Sequence, residues 1–295
     1  MAEEKKLTGY PSIDKPWLKY YKPGAEEKAT NIPEGKTVWD VIEEKLLEYK
    51  DIPAIEYFGR TISRPEFINL VYTWAKVFKA LGIKEDEVVP YYGPFFPSVG
   101  AMAFALNIIG ACPYFLKIPI LPDALAEETK DSRFSIVFED MWSDVCCEFT
   151  KDRFQKVIVI TVSDDMPCPR KQMVSLIKQV TVIGKKHIDL SGDKYLRLNQ
   201  AKRLAKIADN NIRAPFISNR GSFITSSSGT TLGGIVKGTV ATNESAISQL
   251  MMGVTSEIQY FSGDICLDPY PPKASTALNT MFLLPLYKGM TIVMD

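Results

Sequence analysis

The sequence predicts an α/β fold: mainly parallel sheets flanked by helices. Three observations carry that expectation. Short apolar segments alternate with helical ones through the middle of the chain, as in EVVPYYG (87–93), SVGAMAFALNIIG (98–110) and CPYFL (112–116). The run KVIVITV (156–162) is apolar on both faces, as a strand buried in a parallel sheet must be. The same alternation resumes after residue 220.

The first 35 residues are charged and interrupted by Pro11, Pro16, Pro23 and Pro33, so 1–35 reads as an irregular arm. Thr37 can cap a helix over 38–49 whose Val38, Trp39, Val41, Ile42, Leu46 and Leu47 form one apolar side. Ser63-Arg-Pro-Glu66 is a capping-box pattern with proline in the first turn. It opens a helix with Phe67, Leu70, Val71, Trp74, Val77, Phe78 and Leu81 on one face, closed by Gly82. LPDALAEETKD (121–131) reads as helix, FSIVFE (134–139) as strand and MWSDVCCEFTKDRF (141–154) as helix; 163–194 gives no firm pattern. KYLRLNQAKRLAKIAD (194–209) reads as a surface helix whose Lys202, Arg203 and Lys206, with Arg213 beyond it, are solvated. SFIT (222–225) is a strand, and NESAISQLMMGVTSEIQY (243–260) a helix with Asn243 as cap. DICLDPY (264–270), a helix over about 275–285 and MTIVMD (290–295) repeat the alternation. The expected division is an arm over 1–35, a first α/β subdomain over 36–215, and over 216–295 the start of a second. A sequence ending in TIVMD leads us to expect a longer protein of which this is the front part.

Residues 88–116 carry no charge, yet Pro90, Pro94, Pro97 and Pro113 cut them, leaving 15 residues between the last two prolines. A membrane span needs about 20 apolar residues. The expectation is a buried helix between buried strands. The chain has 35 basic and 35 acidic side chains and 46% apolar residues, which excludes a disordered chain and gives no support for nucleic acid as a partner. Cys112, Cys146, Cys147, Cys168 and Cys266 show no metal spacing, and an odd count fits reduced, mostly buried thiols. The lone His187 rules out a histidine-rich metal site. MAEEKKLTGY lacks the apolar core of a signal peptide, so the expected address is cytoplasmic.

The chemistry concentrates in FITSSSGTTLGGIVKGTVATN (223–243). Eight of the nine residues from Thr225 to Gly233 are Ser, Thr or Gly, denser than a solvated loop requires. A strand feeds this loop, and ligands of open α/β sheets bind at the carboxyl ends of strands. Backbone N–H groups in a glycine-rich turn form an anion-binding concavity, hydroxyls add donors, and Lys237 supplies a positive charge. The natural reading is a polyphosphate cradle. It is not a Walker loop, because Ile235 and Val236 stand where Lys and Ser/Thr must follow, and G-x-G-x-x-G is absent. Ser175-Leu-Ile-Lys178 matches a serine-enzyme pattern without its partner motifs. Asp164-Asp165 reads as a solvated turn rather than a metal site. Tyr91, Tyr92, Phe95 and Phe96 read as core or as the lining of an acyl tunnel.

Ser227-Ser228-Gly229-Thr230-Thr231, then glycine, Lys237-Gly238 and Thr242, resembles the phosphate loop of AMP-forming acyl- and aryl-CoA synthetases, the adenylate-forming superfamily. Phe58-Gly59-Arg60-Thr61-Ile62-Ser63, Ala105-Leu-Asn-Ile-Ile-Gly110-Ala111 and Leu284-Pro-Leu-Tyr-Lys-Gly289 are similar to other segments of that family, and LTGYPSIDKPWLKYY to the leader of some bacterial members. The resemblance implies the large N-terminal domain of the adenylate-forming fold, truncated here. It implies a two-step ligase in which a carboxylate, a fatty acid being the expected class, attacks the α-phosphorus of ATP and a thiol, coenzyme A, then displaces AMP. It implies that Thr225, Ser226, Ser227, Ser228, Gly229, Thr230, Thr231, Gly233, Gly234 and Lys237 hold the nucleotide, with Thr230 toward Mg²⁺. No residue here is implied to be catalytic. Three departures stand out: Leu232-Gly-Gly-Ile-Val-Lys237 is about two residues longer than the family's loop and lacks its proline, Asn243 replaces a histidine, and Lys273 to Thr276 occupy an acid-pocket position. The sequence holds no Tyr-Gly-x-Thr-Glu or Thr-Gly-Asp segment. The expectation is therefore an inactive isolated chain that needs a C-terminal region of the same enzyme. The alternative is a non-catalytic nucleotide-binding or degenerate module.

Overall fold

A computed structural model describes residues 8–20, 32–141, 152–181, 192–207, 211–226, 238–254, 259–268 and 275–294. Two sheets organise them. One has seven strands: β3 (Val88–Tyr92), β4 (Cys112–Phe115), β5 (Phe134–Phe138), β6 (Lys156–Ile160), β7 (Tyr195–Arg197), β8 (Gly221–Ser226) and β9 (Gly238–Thr242). Their order is β7-β6-β5-β3-β4-β8-β9, parallel except for the β8–β9 pair. The other runs β10 (Ile265–Leu267), β11 (Thr291–Met294), β1 (Pro53–Tyr57), β2 (Arg60–Ser63), and only β1–β2 is antiparallel in it. The mainly parallel α/β expectation holds. Residue 216 does not separate the sheets, however: β8 and β9 complete the first, while β1 and β2 join the second.

Helix α1 (Val38–Glu48) starts on a full capping box: Thr37 Oγ1 accepts from Asp40 N, and the Asp40 carboxylate accepts from Thr37 N. Helix α2 (Arg64–Ala80) starts on Ser63 Oγ, which accepts from Glu66 N, but Glu66 turns to an ion pair with Arg60 and leaves that box half closed. Its end uses Gly82 at φ +78° with Ile83 N donating to Phe78 O, the expected αL cap. Helix α3 (Pro97–Ile108) is buried at every position, so the uncharged segment is a core helix. Among the described residues no helix is long and apolar enough to cross a membrane. Phe104 at its middle meets the rings of Trp39, Phe67, Phe223 and Phe282, drawn from both ends of the sequence. Gly100 lets Phe282 in, since a Cβ there would stand 2.6 Å from its Cζ. One apolar cluster thus runs from Ile136 and Phe223 to Ile55 and Ile292, and the two sheets share a core.

Among the described residues the remaining α-helices of five or more residues are α4 (Pro122–Glu128), α5 (Arg170–Thr181), α6 (Leu198–Leu204), α7 (Asn243–Val254) and α8 (Leu284–Lys288), the last preceded by a π-helical stretch, Leu278–Leu283. Several expectations need correction. Residues 194–209 are not all helix: β7 occupies the start as an edge strand, and α6 buries Leu198 and Ala201. Lys202 is half-buried with Nζ 5.8 Å from the Trp74 ring, and Arg213 pairs with Asp40 and Glu43, so neither is simply solvated. Asn243 does not cap α7. Thr242 Oγ1 accepts from Ser245 N, while buried Asn243 Oδ1 accepts from Val38 N (3.0 Å) and Asn107 Nδ2 (2.9 Å), tying the start of α7 to α1 and α3. Asp165 is buried, not solvated; its carboxylate accepts from Ser98 N (2.8 Å) and Ser98 Oγ (2.6 Å) and so caps α3. Of the thiols described, Cys112 is buried, Cys266 half-buried and Cys168 exposed, all free. Cys146, Cys147, His187 and residues 142–151 of the helix expected over 141–154 lie outside the described residues.

Candidate functional site

The hydroxyl-rich segment connects β8 to β9. Parallel β4 and β8 are in register through Tyr114–Ile224 and Phe115–Thr225, so both strands finish at one level of the sheet. On the other side β9 returns antiparallel, with Ser226 opposite Gly238. The eleven residues 227–237 therefore leave and re-enter the sheet at one point, the carboxyl edge of β8. Sequence reading found the strand before the loop but not the strand after it. β9 is an edge strand, largely exposed, and GTVAT carries no apolar alternation to announce it.

Two of the sequence-predicted nucleotide residues stand at this edge. Thr225 is buried, and Ser226 Oγ donates to Phe115 O at 3.1 Å, locking the last residue of β8 onto β4. Ser227, Ser228, Gly229, Thr230, Thr231, Gly233, Gly234 and Lys237 lie outside the described residues. Behind the edge, Tyr114 donates its hydroxyl proton to Glu128. Burial, then that hydrogen bond, pushes the Tyr114 phenol above its usual range, so it stays a neutral donor. Among the described residues no group of three His, Cys, Asp or Glu side chains is placed to hold a metal.

A second feature sits two strands away at the same edge. A cavity of about 260 Å³ opens where strands of both sheets finish. Its walls include Tyr57 at the end of β1 and Phe58 just after it, Phe95 and Phe96 after β3, Phe138 at the end of β5 and Met294 at the end of β11, with Asp268 after β10. The Phe95 ring meets Phe115 at 6.2 Å and Phe282 at 4.8 Å, both edge-on, so one aromatic contact joins this cavity to the strand that receives Ser226. Tyr57 donates its hydroxyl proton to the carbonyl of Val162, another lining residue, at 2.9 Å. Phe95 and Phe96 were candidate acyl-tunnel residues from sequence. Tyr57, Phe58, Phe138 and Met294 were not, because it takes the pairing of β1 with β11 and of β3 with β5 to bring those distant segments to one place. A wider surface hollow of about 430 Å³ lies beside Tyr72 and Arg213, where Arg213 is already paired with Asp40 and Glu43.

Comparison with solved structures supports the same architecture. The N-terminal domain of FACL13 from Mycobacterium tuberculosis superposes with a TM-score of 0.62 at 14% identity, over 88% of this chain and 56% of that one. The anthranilate CoA ligase AuaEII, solved with anthranoyl-AMP, gives 0.69 at 15% identity over 90% and 46%. A red-emitting luciferase from Phrixothrix hirtus gives 0.66 at 16% identity over 89% and 47%. At these identities the likeness concerns the fold, and the chain spans about half the length of the structures it matches. No curated protein sequence matches it. The sequence profile of the AMP-binding enzymes, however, matches residues 42–295, which takes in both sheets, the aromatic cavity and the β8–β9 connection. The chain belongs to the AMP-binding enzyme family.

Proposed function

We propose that this chain is the N-terminal part of an ATP-dependent, AMP-forming acid–CoA ligase, which activates a carboxylic acid as its acyl-adenylate and then transfers it to a thiol. The observation that carries the reading is the placement of the Ser/Thr/Gly segment. In a chain of the AMP-binding family, it joins two paired strands at the carboxyl edge of a parallel sheet. Its donor set suits a polyphosphate: backbone amides, the four hydroxyls of Ser227, Ser228, Thr230 and Thr231, and Lys237. Mg²⁺ takes oxygen ligands and is commonly shared with substrate phosphates, so Thr230 with nucleotide oxygens fits it without a carboxylate cluster. Bound Mg²⁺ would neutralise charge developing on the departing pyrophosphate. The protein's own part is to hold the β- and γ-phosphates through Ser227 to Thr231 and to keep Lys237 within reach. We assign no residue to coenzyme A. A fatty acid was the expectation for the acid, and a cytoplasmic location accompanies the proposal.

The residues present include no Tyr-Gly-x-Thr-Glu or Thr-Gly-Asp segment for the adenine, metal and ribose contacts of the resembling family. These 295 residues by themselves should therefore bind an acyl-adenylate analogue weakly and release no pyrophosphate from ATP, Mg²⁺, coenzyme A and a panel of acids. Calorimetry with the analogue is the test, on the wild type and on Thr230→Val and Lys237→Ala. Weaker binding in both variants supports the reading. Undetectable binding to the wild type points to the degenerate module instead, a reading favoured by Ile235-Val236 lengthening the loop and raising the entropy lost on ordering it. Robust pyrophosphate release would refute the expected inactivity.

A further inference from the structure

The aromatic cavity says more about the acid than the sequence did. Phe58 and Gly59 are the two residues between β1 and β2, at φ +46° and +77°. Two-residue hairpin turns of this kind take Asn, Asp or Gly first, because both central residues must adopt positive φ. A phenylalanine in the left-handed region costs about 1–2 kcal/mol, which the hairpin could have avoided with asparagine. The ring stands edge-on to Tyr57 at 4.8 Å and forms one wall of the cavity. Strain of this sort concentrates at binding sites, where the side chain's position matters more than the turn's comfort.

We infer that this cavity receives the apolar end of the acid, and that it selects a compact ring-bearing or short acid over a long-chain fatty acid. The inference rests on the reading that the chain activates a carboxylic acid. Its volume, about 260 Å³, lies just below the roughly 300–1,000 Å³ of pockets that hold drug-sized ligands, so a long alkyl chain would have to leave it. Its walls are the edges and faces of Tyr57, Phe58, Phe95, Phe96 and Phe138, which suit another ring in edge-to-face contact. Phe96 and Phe138 already pack at 5.5 Å, and Tyr57 and Phe96 at 6.0 Å, which makes the wall preformed. Among the described residues Asp268 is the one charged residue lining it, and the lining offers a carboxylate no cation. The acid therefore enters apolar end first, with its carboxylate on the Phe95 side. There Phe115 and Ser226 lead to the connection proposed to hold the phosphates.

The test titrates the 295-residue chain with benzoate, phenylacetate, hexanoate and palmitate, following ligand signals by saturation-transfer NMR and affinities by calorimetry. The same titrations use Phe58→Asn, Phe95→Leu and, as a surface control, Met173→Ser. We expect the ring acids to bind at least tenfold more tightly than palmitate. Phe58→Asn should weaken them about fivefold or more while its thermal midpoint stays equal or rises, since asparagine relieves the turn. A merely structural Phe58 would move stability and leave affinity alone. Phe95→Leu should lose the preference of rings over hexanoate, and Met173→Ser should change nothing. Palmitate binding more tightly than the ring acids, or unchanged ring-acid binding in Phe58→Asn, overturns the inference. An acyl-adenylate analogue that binds while palmitate outcompetes the ring acids leaves the ligase reading intact and refutes only this one. Ring acids that bind as expected with no analogue binding do the reverse.

Discussion

Each sheet contains one antiparallel pair, and the two pairs are built on opposite terms. The β1–β2 hairpin closes in two residues, and β8–β9 closes through eleven. A two-residue turn leaves the backbone no choice of path, so the device there is conformational: Phe58 is fixed in strained geometry and its ring is aimed into the cavity. The eleven residues between β8 and β9 are rich in hydroxyls and glycines, so the device there is compositional. On the proposed reading, the comparison separates a fixed wall for the apolar part of a substrate from a set of donors for its phosphates. Both hairpins end at the same edge of the molecule and are anchored by buried side chains just beyond them, Arg64 after β2 and Asn243 after β9.

Breaking the first anchor should have the largest effect. Arg64 is fully buried, and its guanidinium donates to Ile52 O (3.1 Å), Leu286 O (3.0 Å) and Met290 O (2.8 Å), binding the hairpin to the end of α8 and the start of β11. Burial brings its pKa down to about 10, so the side chain remains a cation at neutral pH, stabilised by the carbonyl dipoles and by the Tyr49 ring 5.9 Å away. Arg64→Met should cost about 3–5 kcal/mol, because three carbonyls lose a charged donor in a site that water does not reach. Urea unfolding measures it. A loss under 1 kcal/mol would show that the anchor is dispensable and that the hairpin is held by its strand pairing.

The second anchor carries no charge and should matter less. Asn243→Ala orphans Val38 N and Asn107 Nδ2, both buried, and should cost about 2–3 kcal/mol in the same measurement. It sharpens the comparison through hydrogen exchange. Protection should fall in β8–β9 and the start of α1, with β1–β2 unaffected. Equal loss in both hairpins would mean that the two sheets respond as one unit through their common core.

The parallel part of the fold was legible because burial on both faces writes itself into sequence as unbroken apolar runs, as in β5 and β6. The hairpins were not. RTIS and GTVAT are short and half-exposed, so neither apolar alternation nor length reveals them. Local context also misplaced Asp165: VSDDMPCP reads as a wet turn, and only Ser98, 67 residues away, shows that its carboxylate is a buried cap. The β8–β9 connection was legible as a loop from its composition, and the nucleotide role read from its hydroxyls and glycines belongs to the proposal. The cavity was only half legible. Phe95 and Phe96 could be suspected from an uncharged aromatic stretch, whereas the role of Phe58 rests on a backbone dihedral that no residue pattern announces.

The smallest of the three effects tests whether strain governs the tight hairpin. Gly59 stands at φ +77°, and a Cβ there would approach Arg170 Nη1 to 3.0 Å, while the same Arg170 donates to Phe58 O. Two costs are thus available to Gly59→Ala, the left-handed backbone and the displaced arginine. The first is about 1–2 kcal/mol. The second is small, because the approached atom is the far end of a long side chain that can shift. Gly59→Asn distinguishes them: asparagine adopts left-handed geometry with little penalty but carries the same Cβ and more bulk. If strain governs, thermal unfolding should show Gly59→Ala destabilised by about 1–2 kcal/mol and Gly59→Asn by clearly less. Equal losses would assign the cost to Arg170 instead. The tip would then be held by its contact with Arg170 rather than by its own turn, and the contrast with the longer connection would rest on loop length alone.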